Sequence, residues 1–347
     1  TEHFSSRRVV VREMPPRVPT DSAKPKSPPG ASTLASPPIT SDPPYHRPAR
    51  MLLLPAFTPD AIGRLEAKTR AICGDLIDRF ASNDRCDAAT DYAQHVPVAV
   101  IAHMLGLPEG DGEKFRRWIH LLLHEGIAEN ASFAQALAEM DDYFRVQIAS
   151  RRSVPGEDLI TFLLGAQMED QPLSDEHIIG TLRLLLIAGI DTTWSAIGSC
   201  LWHLAQHRDD RRRLVTEPAL MPLAVEEFLR AYAPVTMARQ VAKETTVGGC
   251  PFKEREMVLL SFPAANRDPE VFPQADRVLI DRAENRHAAF GLGIHRCIRS
   301  NLARTDITVA LHESLTRIPD FDLADPASVT WSHGPVRGPR KLPVVFR

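Results

Sequence analysis

The stretch from Phe290 to Arg304, Phe-Gly-Leu-Gly-Ile-His-Arg-Cys-Ile-Arg-Ser-Asn-Leu-Ala-Arg, constrains this chain more than any other. Two glycines flank a leucine, so the backbone can turn tightly there and approach a bulky neighbour. A lone cysteine, Cys297, then stands at the mouth of a Leu, Ala and Arg run of helical character. At such a mouth, amide donors and the positive end of the helix dipole favour thiolate over thiol. Two readings are open. Cys297 is a small buried hydrophobe in a turn, or it is a thiolate offered to a metal, a use suited to the axial position of a heme iron.

The other cysteines, Cys73, Cys86, Cys200 and Cys250, bring the count to five, an odd number with no C-x-x-C spacing. This argues against a disulfide framework or a structural zinc site and fits a reducing cytoplasm. A net charge of −3 over 347 residues gives no reason to expect nucleic acid or an anionic membrane as partner. The longest apolar runs, such as 184–190, are bounded by Arg183 and Asp191 and are too short to span a bilayer. No signal-peptide pattern follows Thr1.

Val9-Val10-Val11 is a short β-prone run, and Pro15 to Pro44 is dense in Pro, Ser and Thr, which rules out a helix. That stretch reads as a flexible linker or as a long loop over a binding pocket. Beyond Pro44 the pattern is mostly helical. Thr58-Pro59-Asp60 opens a helix expected to reach about Phe80, with Thr58 as N-cap. Further helices are expected at 92–107, 112–125, 132–152, 158–167 and 219–231, and after Cys297 to about Thr316. A long one, apolar nearly all round and therefore buried, starts at Ser174 and reaches about His207. Arg211-Arg212-Arg213 reads as a solvated face. Residues 241–263 carry β-branched runs and glycines that suggest a few strands, and Val344 to Phe346 a closing one. The fold class is mainly α with a minor β part.

Within the long helix, Ala188-Gly189-Ile190-Asp191-Thr192-Thr193 places an acid where a charge is costly. Threonine there can bond back to the preceding turn and bend the helix. Gly189 leaves a face against which something flat can lie. The segment is a local kink, or an acid and alcohol pair that passes protons to bound dioxygen. Glu227 and Arg230 share a face of an apolar helix and read as a buried structural pair. His46 and Arg50, one turn apart after Asp42-Pro43-Pro44, read as a solvated face or as a clamp for carboxylates. Arg239 and His295 gain meaning only by converging on the same anion.

Taken in this order, the clamp, the acid-alcohol helix, the Glu-x-x-Arg pair and the Phe-Gly-x-Gly-x-His-x-Cys loop resemble the cytochrome P450 family, the heme-thiolate monooxygenases, over essentially the whole chain. Asp42-Pro-Pro-x-His-x-x-x-Arg50 and Asn266-Arg-Asp-Pro269 resemble its soluble bacterial members. The resemblance implies the P450 fold as one heme-binding domain over residues 1–347, with 1–44 as the substrate-cap loop region. It implies heme b with Cys297 as the proximal thiolate ligand. Asp191 and Thr192 would manage proton delivery on the opposite side, next to Ala188. His46, Arg50, Arg239 and His295 would bind the propionates. Phe290 and Gly291 would pack at the proximal face, and Glu227 and Arg230 would hold the core beneath. The implied reaction inserts one oxygen atom of O2 into a hydrophobic small molecule. Electrons would come ultimately from NAD(P)H through a ferredoxin and its reductase. A fused reductase domain is the other source, since Arg47-Pro48-Ala49-Arg50 and Leu53 to Phe57 resemble members joined to a phthalate-dioxygenase-type reductase. Neither nucleic acid nor membrane is implied as a partner.

Two departures stand against this pattern. The family usually has glycine where this chain has Arg299. Its members also carry further residues before the clamp, so the fold is expected to lack its first helices and strands. The alternative these departures support is a truncated, heme-free or inactive chain without catalysis.

Overall fold

A computed structural model of the chain describes residues 2–9, 35–125 and 130–346. Most of the expected cap loop, residues 10–34, together with Val10 and Val11, lies outside the described residues. Among these, the frame is α1 (His46–Leu53), α2 (Glu66–Asp78), α3 (His95–Met104), α4 (Gly112–His120), α5 (Asn130–Ser153), α6 (Leu159–Gly165), α7 (Asp175–Gln206), α8 (Arg208–Thr216), α9 (Met221–Ala231) and α10 (Ser300–Arg317). The strands are short and antiparallel. They form small sheets such as Arg85–Asp87 with Pro343–Phe346 and Phe321–Leu323, and Thr330–Trp331 with Pro339–Lys341.

Cap chemistry sets several helix starts. Thr58 accepts the Ala61 amide at 3.3 Å, as expected, but the helix it opens stops at Gly63 and resumes as α2. Glycine has the largest entropic cost of remaining helical. The helix expected from Tyr92 begins only at His95. Before it, Ala88–Ala93 forms a wider π-type turn capped by Asp87, which accepts the Ala89 and Thr90 amides at 3.0 and 3.1 Å. Asp158 caps α6 by accepting the Thr161 amide at 2.8 Å. α7 continues unbroken through Gly189 and Thr193 for 32 residues. By length and composition it could cross a membrane, yet 72% of its most apolar window is buried in protein.

The chain divides into two compact units. The first comprises Thr1–Leu52, His120–Leu185 and Met237–Leu260; the second comprises Leu53–Ile119, Leu186–Thr236 and Ser261–Arg347. In the first, Ala136, Met140, Phe144 and Ile148 recur every fourth residue on α5 and are all buried. That spacing gives one continuous apolar stripe, and α6 packs on α5. Arg183 of α7 is held by Asp141 of α5 at 3.0 Å and by the Ala35 carbonyl at 2.9 Å. The hairpin Thr245–Val247 with Cys250–Phe252 turns at Gly248 and Gly249, with φ of +57° and +82°. A turn with both central residues left-handed matches the strand twist, and glycine takes that conformation freely.

In the second unit α10 packs along α2. Leu302, Ile307, Leu311 and Leu315 of α10 and Ile72, Leu76 and Ile77 of α2 are buried. Tyr92 donates its hydroxyl to the Ala310 carbonyl at 2.8 Å, and Phe80 packs edge-on to Tyr92 and against Phe346. One expectation fails here. Arg211 does not belong to a solvated face: it is buried, donates to the carbonyls of Leu204 (2.8 Å) and Phe321 (2.5 Å), pairs with Asp320, and lies over the Phe321 ring. Arg212 and Arg213 do stay accessible. Arg211→Ala should therefore destabilise the chain by about 3 kcal/mol and Arg212→Ala by less than about 0.5 kcal/mol. Urea denaturation of the two variants checks this.

Candidate cofactor site

The cysteine loop is built by its two glycines. Gly291 and Gly293 have φ of +66° and +67°, a conformation that L side chains rarely adopt. The turn lets the Cys297 amide donate back to the Phe290 carbonyl at 2.8 Å, while Gly293–His295 forms a short 3-10 turn. Cys297 is half-buried, and α10 begins three residues later at Ser300. The Phe290 ring lies under the Arg304 guanidinium (4.6 Å to the ring centre) and beside His287.

The stretch that leads into this loop is held by a pair on α9. Arg230 meets Glu227 in a two-pronged ion pair of 2.8 and 2.9 Å, with both side chains fully buried. Glu227 also accepts from the Leu279 amide (2.8 Å), Arg282 (2.9 Å) and Asn285 (3.0 Å). Arg230 donates its remaining protons to the carbonyls of Asn266, Ala275 and Arg277 at 2.7 to 2.8 Å. Burial by itself would raise the Glu227 pKa, but the Arg230 hydrogen bond, the Leu279 amide and the Arg230 charge outweigh it and hold it below the usual carboxylate range. The neighbouring Glu226, which the sequence reading missed, pairs with Arg304 (2.5 and 2.7 Å) and His287 (3.1 Å). It ties α9 to α10, and the only signal for it was a second carboxylate beside Glu227.

On α7, Thr192 donates its hydroxyl to the Ala188 carbonyl at 2.8 Å. Asp191 is fully buried and forms an ion pair of 2.7 Å with Arg340, a partner more than a hundred residues away that no local pattern points to. Arg340 also donates to Ser195 at 3.1 Å and lies 4.2 Å over the Trp194 ring. Burial lowers the Arg340 pKa and the Asp191 charge opposes this.

Arg299 joins the two halves of the site. Its side chain is buried and runs from the mouth of α10 to α7, where the guanidinium Cζ, Nη1 and Nη2 occupy the place a Cβ on residue 189 would take. Seven residues further along α10, Asp306 is buried as well. Burial pushes its carboxyl up to about 8 against the pull of the Arg299 charge. Its signal in the sequence was an acid on a helix that also carries Leu302, Ile307, Val309 and Leu311. The second unit thus offers a thiol donor on a glycine-shaped loop and, one arginine length away, a helix face without a side chain followed by Thr192. These residues suit a flat metal-bearing ring between Cys297 and Gly189. One residue departs from that fit, because Arg299 now fills the space.

The remaining candidates fall elsewhere. His46, Arg50 and Arg239 belong to the first unit, and His295, half-buried, to the second. His46 is buried; burial and the Arg50 charge lower its pKa while Asp42 raises it. Asp42 acts on Arg239 in the same sense, against burial. Asp42 is itself held by the Ser5 hydroxyl (2.5 Å) and the Ser6 amide (2.8 Å). These four charged or ionisable groups of the first unit share one electrostatic neighbourhood.

A sequence model of the cytochrome P450 family matches residues 124–322. The chain is 36% identical over 310 residues to cytochrome P450 107B1 of Saccharopolyspora erythraea, covering 88% of this chain and 76% of that one. It is 34% identical to mycinamicin IV hydroxylase/epoxidase of Micromonospora griseorubida, over 89% of this chain and 79% of the relative. Among solved structures, CYP109E1 from Bacillus megaterium in complex with testosterone superposes with a TM-score of 0.88 at 31% identity, over 99% of this chain and 87% of that one. The chain belongs to the cytochrome P450 family: it has the P450 fold and is a monooxygenase of the heme-thiolate class.

Glu226 makes the site's support acid-sensitive. Burial raises its pKa, but Arg304 and His287 outweigh this and hold it at about 2, below an ordinary 4.5. Its charge therefore stabilises the fold fully above about pH 4.5, and that contribution, about 3 kcal/mol, is lost as pH falls toward 2. Glu226→Gln should be less stable than wild type at pH 6, with the gap closing as the pH is lowered to 3 in urea titrations.

Proposed function

We propose that this chain, over residues 1–347, is a single heme domain that inserts one oxygen atom of O2 into a hydrophobic small molecule. The observation that supports the reading is that, within one unit, the side chain of Arg299, two residues after Cys297, reaches Gly189 of α7, one turn before Thr192. Bound heme would supply the redox chemistry on dioxygen and substrate, and the protein its binding, orientation and proton paths. Cys297 would hold the iron through its thiolate. Ala188, Phe290 and Gly291 would line the ring, and His46, Arg50, Arg239 and His295 would neutralise its propionates. Asp191, held by Arg340, and Thr192 would pass protons from α7 to the oxygen site. Glu227 and Arg230 would keep the loop under Cys297 in place without touching substrate. Electrons would come ultimately from NAD(P)H through a ferredoxin-type or fused reductase partner, in the cytoplasm, where the five free cysteines stay reduced.

A second reading, a chain that never loads the cofactor, has one observation in its favour: the Arg299 guanidinium against Gly189. The carbon monoxide spectrum of the reduced protein decides between them. A thiolate-type band that disappears in Cys297→Ser supports the monooxygenase, and protein without heme even after hemin is supplied establishes the second. With a substrate in hand, Thr192→Ala should lower product formation on the order of 10²-fold while leaving that band intact.

A further inference from the structure

Arg299 ends against Gly189 although a long cation has no apparent business in that place. Its side chain is only 8% exposed, and its three end atoms stand where a Cβ of residue 189 would be. Gly189 lies one turn before Thr192, and Arg299 two residues after Cys297. The guanidinium therefore lies in the interval that a ring held by Cys297 and resting on α7 must use. A planar guanidinium, weakly hydrated, is well suited to lie flat on a bare helix backbone. A second observation supplies an acid near it, on which the Arg299 charge already acts. Arg299 and Asp306 are seven residues apart and share a face of α10. Among the described residues the buried Oδ1 of Asp306 has no hydrogen-bond partner, and a buried carboxyl oxygen without a partner is costly.

We propose that Arg299 is an internal competitor for the cofactor: its guanidinium fills the cradle against Gly189, and heme enters only as that side chain turns along α10 to Asp306. The inference rests on the heme reading of Cys297. Two states of one side chain then set the cofactor affinity. The apparent dissociation constant is the intrinsic one divided by the fraction of molecules with Arg299 turned out. The filled cradle also supports the heme-free fold, since removing the guanidinium leaves a void between α7 and the cysteine loop. Asp306 favours the loaded state by drawing the displaced guanidinium closer along α10.

The test uses the heme-stripped full-length chain titrated with hemin, followed by absorbance, together with thermal melting before and after loading. Arg299→Gly and Arg299→Ala should bind hemin about tenfold or more tightly than wild type and should melt at a lower temperature without it. An arginine with a merely structural role would weaken both. Asp306→Asn should loosen hemin binding in the wild type and leave it unchanged in the Arg299→Gly background, a coupling read from the double-mutant cycle. Equal or weaker hemin binding by both Arg299 variants overturns the competitor and leaves the heme reading standing. Absence of hemin binding in wild type and every variant overturns both.

Discussion

Two opposite charges without access to water, on Glu227 and Arg230, decide where a long irregular stretch of this chain can run. Residues 266–289 form no helix or strand among those described, so their backbone carbonyls and amides need partners from elsewhere. Arg230 takes three of those carbonyls and Glu227 takes the Leu279 amide along with the side chains of Arg282 and Asn285. Neither charge is tolerable alone in an apolar interior, and each is made so by satisfying a loop. The Asn266 side chain continues the arrangement by accepting the Ala288 amide at 2.7 Å, two residues before the cysteine loop opens. The approach to the cysteine loop is thus held by an ion pair on a different helix.

Much of this was readable in the sequence, for a physical reason. Helices with strong caps or long apolar runs, such as α6 behind Asp158 and α7 behind Ser174, carry their limits locally. The turn at Gly291 and Gly293 is likewise a property of those residues. The expected break points were less legible. The helix after Thr58 stops at Gly63, and the one expected from Tyr92 starts late, because the Asp87 carboxylate stabilises a wider turn first. The candidate site residues were legible as a pattern, and the chemistry proposed for them rests on the family. Their geometry was not: Asp191 needs Arg340, and Glu226 needs Arg304, partners that only the folded chain brings together.

The arginines make the same point from the other side. Arg211, Arg212 and Arg213 are chemically identical neighbours, yet one is a buried hub for two carbonyls and the others are accessible. On a helix, adjacent residues face different directions, and the partner that rescues a buried charge is distant in sequence. Arg299 extends this to the site itself. A position where the family usually has no side chain carries the longest cation available, and the fold accepts it because Gly189 leaves room.

The Thr192 hydroxyl has a consequence beyond the shape of its helix. A hydroxyl has one proton, and this one is given to the Ala188 carbonyl. Toward the other side, Thr192 therefore presents lone pairs alone. A molecule that brings an O–H or N–H to α7 finds an acceptor ready, whereas one with only acceptor atoms finds nothing until the bond to Ala188 is broken. The polarity of that face is set by the backbone behind it.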